Sequence, residues 1–302
     1  MKFRKSTVSS CVDRLCSPPP SVDGAPCNGD RHRRRFGPPR PESHFLWLSC
    51  LLVGAAVTPL GAAEPGMVFV PGGEFLRGRS HSLPDDDMKR RSTLLKDDRP
   101  AKIIHVAPFY LDEHEVTNEA YRRFLEATGR QPPFHWVDGE FAEGEEKHPV
   151  VNVNWHEAAA YCKSLGKRLP TEAEWERAAR GYDEGAKFPW GEEEPTKGQQ
   201  AHFNVLDGTR AVCRFPKNRF GLCDMAGNVW EWCLDRYERL YYERSPDRNP
   251  SGPDEGMYRV LRGGSWADAA KYLTCAYRSF ARPRERSPNI GFRCAKGFYE
   301  RR

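Results

Sequence analysis

Six cysteines lie downstream of residue 63: Cys162, Cys213, Cys223, Cys233, Cys275 and Cys294. No two are spaced as C-x-x-C, so neither a zinc ribbon nor a thioredoxin-type redox pair is encoded. In an oxidising compartment such an even set predicts disulfides, and spacing alone leaves their connectivity open. His105, His114, His135, His148, His156 and His202 show neither H-x-x-x-H nor H-E-x-x-H spacing. Surface or hydrogen-bonding roles suit them better than metal ligation. Ser265 carries a hydroxyl that could act as a nucleophile, but no positioned base can be identified for it. Arg278, Arg282, Arg284 and Arg286 form a basic stretch, readable as a solvated loop or as part of a groove.

The redox setting of these groups depends on where the chain goes. Residues 1–43 are rich in proline and arginine, with Pro18-Pro19-Pro20, Pro38-Pro39, Pro41 and the cluster Arg31, Arg33, Arg34 and Arg35. From Phe45 to Leu60 the sequence is almost wholly apolar, ending at Gly61-Ala62-Ala63. Residues 44–63 therefore read as an export signal. The apolar run is short of the ~20 residues of a membrane span and is broken by Pro59, although an N-terminal anchor is the other reading. Residues 1–63 carry nine Lys/Arg and four Asp/Glu, which is the whole formal excess of +5. The remaining chain is neutral, which removes the electrostatic footprint of a nucleic-acid binder. Residues 64–302 have the size of one domain, expected to be exported to a periplasmic or extracellular space, with the membrane involved only through the signal.

Regular structure in that domain looks sparse. Met67–Val70 reads as a strand, with Pro71-Gly72-Gly73 as a tight turn and Phe75-Leu76 starting the return. Ser80–Arg99 is charged without an apolar period and reads as a surface loop, and Ile103–Leu111 is strand-like again. Three short helices follow. Thr117 can cap one carrying Tyr121, Phe124 and Leu125 on a single face and ending at Gly129. Asn154 with Glu157, and Thr171 with Glu174, form capping-box patterns, and Cys162 points inward on the second helix. Beyond Gly181 the helical period disappears into Gly, Asn, Asp, Pro and aromatic residues. Two late strands are expected, Tyr258–Leu261 and Ile290–Ala295. Trp190, Trp230, Trp232 and Trp266 are expected in the core. The class is α+β, dominated by irregular segments whose backbone groups need other partners.

Nine strings in this order resemble the formylglycine-generating-enzyme, or sulfatase-modifying-factor, family across residues 65–297. They are Pro71-Gly72-Gly73-Glu74-Phe75, Glu115-Val116-Thr117-Asn118, Pro149-Val150-Val151-Asn152-Val153, Gly166 to Glu176 (GKRLPTEAEWE), Phe188-Pro189-Trp190-Gly191, Asn218-Arg219-Phe220-Gly221-Leu222, Gly227 to Trp232 (GNVWEW), Arg262-Gly263-Gly264-Ser265-Trp266 and Asn289-Ile290-Gly291-Phe292-Arg293. The resemblance implies a C-type-lectin-like fold with little regular structure. It also implies oxidation of a substrate cysteine at Cu(I) held by two thiolates, placed three and eight residues after the serine of the Gly-Gly-Ser string. Here those positions hold Asp268 and Leu273, so copper is not expected. Cys275 nearby reads as a core or disulfide cysteine.

Other family features carry over better. The resemblance implies a structural calcium site from the carboxylates of Asp224 and Glu231 and the carbonyls of Gly227 and Val229. Capping and salt-bridging are the other roles open to those carboxylates. A second site would fall at Asn204 and Val205, with Asp207 as partner, where the following loop is shorter than in the family. The resemblance pairs Cys162 with Cys294, whereas Ala179 replaces one cysteine of a second family bridge. One or two further bridges are expected among Cys213, Cys223, Cys233 and Cys275. A substrate groove would involve Trp266, Arg278 and Arg282. Three functions follow: an accessory or maturation factor for an exported protein or metabolite, a non-catalytic peptide- or protein-binding module, and, well behind them, a formylglycine-generating oxidase.

Overall fold

A computed structural model describes residues 64–80, 97–183 and 185–298. The readings made for residues 1–63 and for most of the charged loop after Ser80 lie outside these residues. The described chain forms a mixed α+β fold with three small sheets. The first orders β1 (Met67–Val70), β4 (Phe109–Asp112) and β9 (Ala295–Gly297), and the second pairs β2 (Gly73–Arg77) with β3 (Lys102–Val106). The third orders β7 (Ser279–Ala281), β6 (Tyr258–Arg262), β5 (Trp230–Tyr237) and β8 (Ile290–Gly291). All neighbours are antiparallel except β5 and β8.

The helices follow their local signals. Thr117 caps α1 (Asn118–Thr128) through the Ala120 N–H, and Gly129 closes it in the left-handed region. Asn154 with Glu157, and Thr171 with Glu174, complete capping boxes on α2 (Trp155–Ser164) and α3 (Glu172–Arg180). These devices satisfy amide groups that a helix start otherwise leaves without partners.

The strands depart from the reading of the sequence in several places. Pro71-Gly72-Gly73 does not turn a hairpin, because β1 pairs with β4 while β2 pairs with β3. The expected strand Ile103–Leu111 is broken at Ala107-Pro108 for the same reason. A Cβ on Gly72 would sit 2.6 Å from the Pro108 nitrogen, so the two corners pack together and both chains change sheets there. Ile290–Ala295 likewise divides between β8 and β9, which lie in different sheets. The longest strand, β5, falls where only irregular structure was expected. Both of its faces are largely buried, which erases the alternation that marks a half-exposed strand. A one-turn helix, α4 (Tyr241–Arg244), was also not expected. Asp97 and Asp98, assigned to a surface loop, are buried: Asp97 accepts from Tyr237, and Asp98 from Arg79.

Two large apolar clusters and a smaller third around Phe188 and Phe203 make the core. One joins α1 and α2 to β5, centred on Tyr121, Tyr161, Trp232 and Phe292; the other joins α3 to the first two sheets around Phe75, Phe109 and Trp175. Trp230 and Trp232 are buried as expected, whereas Trp190 and Trp266 are half-buried. A Cys162–Cys294 disulfide ties α2 to the chain leading into β9, and Cys213–Cys223 forms a second bridge. Cys233 and Cys275 are free thiols, both buried.

A polar seam runs through this core. Arg262 donates to Glu176 Oε2 at 2.6 Å and to the carbonyls of Cys275 and Ala276 at 2.7 and 2.9 Å. Arg180 grips Glu176 Oε1 at 2.7 Å and the carbonyls of Gly78 and Ala186. Burial pushes the Glu176 carboxyl up, but the Arg180 and Arg262 guanidiniums and the Gly78 N–H outweigh it and hold the group below its ordinary range. Such a carboxylate stabilises the fold above the ordinary carboxylate range and loses that contribution as pH falls through its depressed pKa. Glu176→Gln should therefore cost about 3–5 kcal/mol at neutral pH. Urea unfolding should also show a shallower loss of stability between neutral pH and the acid limb than in the parent.

Candidate functional site

The segment that should carry oxidative chemistry runs from the end of β6 into a 3-10 turn, Ala270–Leu273. Gly264 allows the turn, with φ of 75° and a hypothetical Cβ only 3.0 Å from the Tyr272 carbonyl oxygen. The Asp268 N–H closes onto the Ser265 carbonyl at 3.1 Å. This folds the Asp268 carboxylate back over the Ser265 side chain, and the Ser265 hydroxyl donates to Asp268 Oδ2. The same oxygen accepts the Trp230 indole N–H at 2.9 Å from the start of β5. Asn289, just before β8, donates to the Ser265 hydroxyl at 3.2 Å. Three segments distant in sequence thus meet at one buried serine and one half-exposed carboxylate.

This arrangement suits holding better than attacking. The Ser265 hydroxyl is fully buried, donates to one neighbour and accepts from another. Tyr277 and Tyr272 stand beside Trp230, with ring centroids of 6.1 Å for Trp230–Tyr277 and 4.9 Å for Tyr272–Tyr277. Burial, with Tyr272, Asp97 and Asp268 adding to it, pushes the Tyr277 hydroxyl up, so it stays protonated. Leu273 is wholly buried among Phe188, Ala201, Phe203 and Ala226. The Cys275 thiol points into the second core cluster, and burial pushes it up to about 12. Copper does not fit here: the positions expected to supply thiolates hold a hydrogen-bonded oxygen donor and a hydrocarbon, and the nearest thiol is protonated and enclosed.

The acidic turn differs from its expected form. Glu231 places both oxygens on Arg293, at 2.8 Å to Nε and 2.7 Å to Nη2, and accepts the Trp175 indole N–H at 2.8 Å. Arg293 also donates to the Cys223 carbonyl at 2.9 Å. Asp224 accepts the Cys213 N–H at 2.6 Å. Glu115, which sequence reasoning missed, is fully buried alongside. Its Oε1 accepts from Asn228 at 3.1 Å, and its Oε2 has no hydrogen-bond partner. Burial, then the charge of Asp224, pushes the Glu115 carboxyl well up against the pull of Arg293. Burial also raises Asp224, to which Glu231 contributes. Three acids therefore share the single buried guanidinium of Arg293. Glu115 Oε2 also lies 3.9 Å from Arg293 Nη2, and these carboxylates are oxygen donors of the kind a hard cation takes. The strings containing Glu115 and Arg293 were visible in the sequence, but nothing in them showed that the two side chains meet.

The other expected site residues are dispersed. Arg278 does not face a groove: it is buried, with two hydrogen bonds of 2.7 and 2.9 Å to Glu172. Arg282 is exposed, and Trp266 is half-buried with its indole 3.3 Å from the Pro288 carbonyl. Asn204 and Val205 donate backbone N–H groups to the Asp268 and Trp266 carbonyls, both at 2.9 Å. Asp207 pairs with Arg210 and lies 3.5 Å from His202. Glu113 sits beside Cys213 and Cys223, but their sulfurs are bonded to each other and Glu113 pairs with Lys217. Among the described residues no helix is long and apolar enough to cross a membrane.

The sulfatase-modifying factor enzyme 1-like domain matches residues 55–298. The chain is 40% identical over 248 residues to serine/threonine-protein kinase pkn1 of Chlamydia caviae; the match covers 76% of this chain but only 38% of that protein. It is 34% identical to the formylglycine-generating enzyme of Streptomyces coelicolor, across 80% of this chain and 95% of the other. It is 33% identical to the inactive C-alpha-formylglycine-generating enzyme 2 of Mus musculus, across 84% and 92%. The structure of PvdO from Pseudomonas aeruginosa superposes with a TM-score of 0.65 at 27% identity, covering 78% of this chain and all of that one.

Asp268→Ala removes the acceptor of a buried indole N–H and of a buried hydroxyl. It should lower stability by about 1–3 kcal/mol, read from the urea midpoint, while Asp268→Asn, which keeps an oxygen for Trp230, should lose less.

Proposed function

The chain belongs to the sulfatase-modifying-factor (formylglycine-generating-enzyme) family, and from that premise we propose that it is an exported accessory protein. In this reading it binds another exported protein or a peptide on the family scaffold and does not run the copper-thiolate oxidation. The observation that carries this reading is the occupancy of the two copper positions: Asp268 is tied to Trp230 and Ser265, and Leu273 is sealed in the core. The likeness to an inactive formylglycine-generating enzyme of the mouse agrees with it. Two disulfides support an oxidising, extracytoplasmic location. The test incubates the purified protein with Cu(I), oxygen and a cysteine-containing sulfatase peptide, and follows the peptide by mass spectrometry. No conversion of the cysteine to formylglycine is expected, and turnover would overturn the reading.

A structural calcium ion belongs to the same proposal. The sharing of the one Arg293 guanidinium by Glu115, Asp224 and Glu231, with a Glu115 oxygen that makes no hydrogen bond, supports it. Calcium at a hundred times its dissociation constant should stabilise the protein by about 2.7 kcal/mol. Chelator-treated protein should show this gain as a rise in melting temperature on calcium addition. Asp224→Asn should abolish most of the rise, and an unchanged melting temperature in the parent would rule the ion out.

A further inference from the structure

A cavity of about 660 Å³ opens beside the Ser265–Asp268 turn. Its wall includes Lys197, His202, Phe203, Val205, Arg210 and Arg214, with Asp207 as the sole carboxylate among the lining residues. Asp207 is already engaged by Arg210 and lies near His202. Lys197 and Arg214 pair with no described carboxylate, and both are exposed. Counting Lys197, Arg210 and Arg214 against Asp207, the cavity carries two surplus positive charges. Glu145 and Glu146, which act on nearby His148, are not part of its lining.

The basic groups stand on a pinned backbone. The Arg210 N–H donates to Asn228 Oδ1 at 3.0 Å, and Asn228 returns a bond to the Arg210 carbonyl at 3.3 Å. Arg214 follows Cys213, held by its disulfide to Cys223 and by its N–H to Asp224. On the opposite wall, the His202 carbonyl accepts the Asn228 N–H at 2.8 Å, and Val205 is bonded to the Trp266 carbonyl. A Cβ on Gly227 would lie 2.5 Å from the His202 oxygen, so the glycine there lets the two walls approach. Charges set on such a frame need little ordering when a ligand arrives.

We propose that this cavity binds an acidic polypeptide segment, an inference that rests on the accessory role above and supplies its partner chemistry. The volume exceeds what one phosphate would fill, and the cations come from two stretches of chain, Lys197 and the pair Arg210 and Arg214. Phe215 and Val205 offer apolar surface in the lining, and Leu206 at the same segment is 95% exposed. A chain with repeated carboxylates separated by carbon skeleton meets both features, and the attraction weakens with salt.

The test uses the full chain and a fluorescein-labelled hexaglutamate peptide, read by anisotropy at low ionic strength. Hexalysine and inorganic phosphate serve as comparison probes. Hexaglutamate should bind, and Lys197→Glu with Arg214→Glu should weaken it by about tenfold or more while leaving the melting temperature unchanged. Equal binding by the double variant, or equal binding of hexalysine, overturns the site. Binding of inorganic phosphate, read by calorimetry with the same dependence on Lys197 and Arg214 and without hexaglutamate binding, overturns the peptide assignment in favour of a small anion. The copper assay reads separately: formylglycine production would overturn the accessory role whatever the peptide does, and loss of the peptide site would leave the copper result standing.

Discussion

Buried arginines serve here as the partners that sheets and helices supply in more regular folds. Arg262 donates to the carbonyls of Cys275, Ala276 and Tyr277; Arg278 to those of Asp97 and Glu238; Arg293 to those of Asp112, Glu113, Cys223 and Asp224. Arg180 adds Gly78 and Ala186. Loop carbonyls removed from water must find donors. A guanidinium offers five in a rigid planar fork, enough to hold two or three strands of irregular chain at once. Each fork is held at its charged end by a buried acid: Glu176 for Arg180 and Arg262, Glu172 for Arg278, Glu231 for Arg293. Taking these pairs out of water is costly, so their weight in the fold lies in specifying one arrangement of loops as much as in net stability.

The candidate site inherits its geometry from that framework. The turn bearing Ser265 and Asp268 leaves β6 directly after Arg262. It is bonded through its backbone to the segment 202–205, which forms the wall of the basic cavity. Asn228 joins the parts on the other side, touching Glu115 in the acid cluster and Arg210 at the cavity. The acid cluster, the Ser265–Asp268 turn and the basic cavity are therefore neighbours on one scaffold. The Asp268 carboxylate is held in place because Trp230 and Ser265 both donate to it.

Local signals were read most faithfully where they act within a few residues. Thr117, Asn154 and Thr171 marked three helix starts because a side-chain cap and the amides it satisfies lie within one turn. The Cys162–Cys294 bridge came from family likeness, since no spacing rule could select it. Strand pairing was less legible. Pro71-Gly72-Gly73 has the composition of a hairpin turn, yet its conformation is chosen by packing against Ala107-Pro108, some thirty-five residues away. β5 hid its identity because burial on both sides removes the polar positions that would reveal a period of two.

By itself, then, the sequence determined the family, the starts of α1, α2 and α3 and the absence of both copper-binding thiolates, since each of these is a matter of residue type or of contacts close along the chain. Only the tertiary structure decided that Arg278 is a core ion-pair partner rather than a groove residue, that Glu115 shares Arg293 with Asp224 and Glu231, and that Asp268 is held by Trp230. A charged side chain carries the same composition whether it meets water or a buried counter-charge. Its role is set by which distant residue the fold brings within about three ångströms of it, a distance that no local pattern encodes.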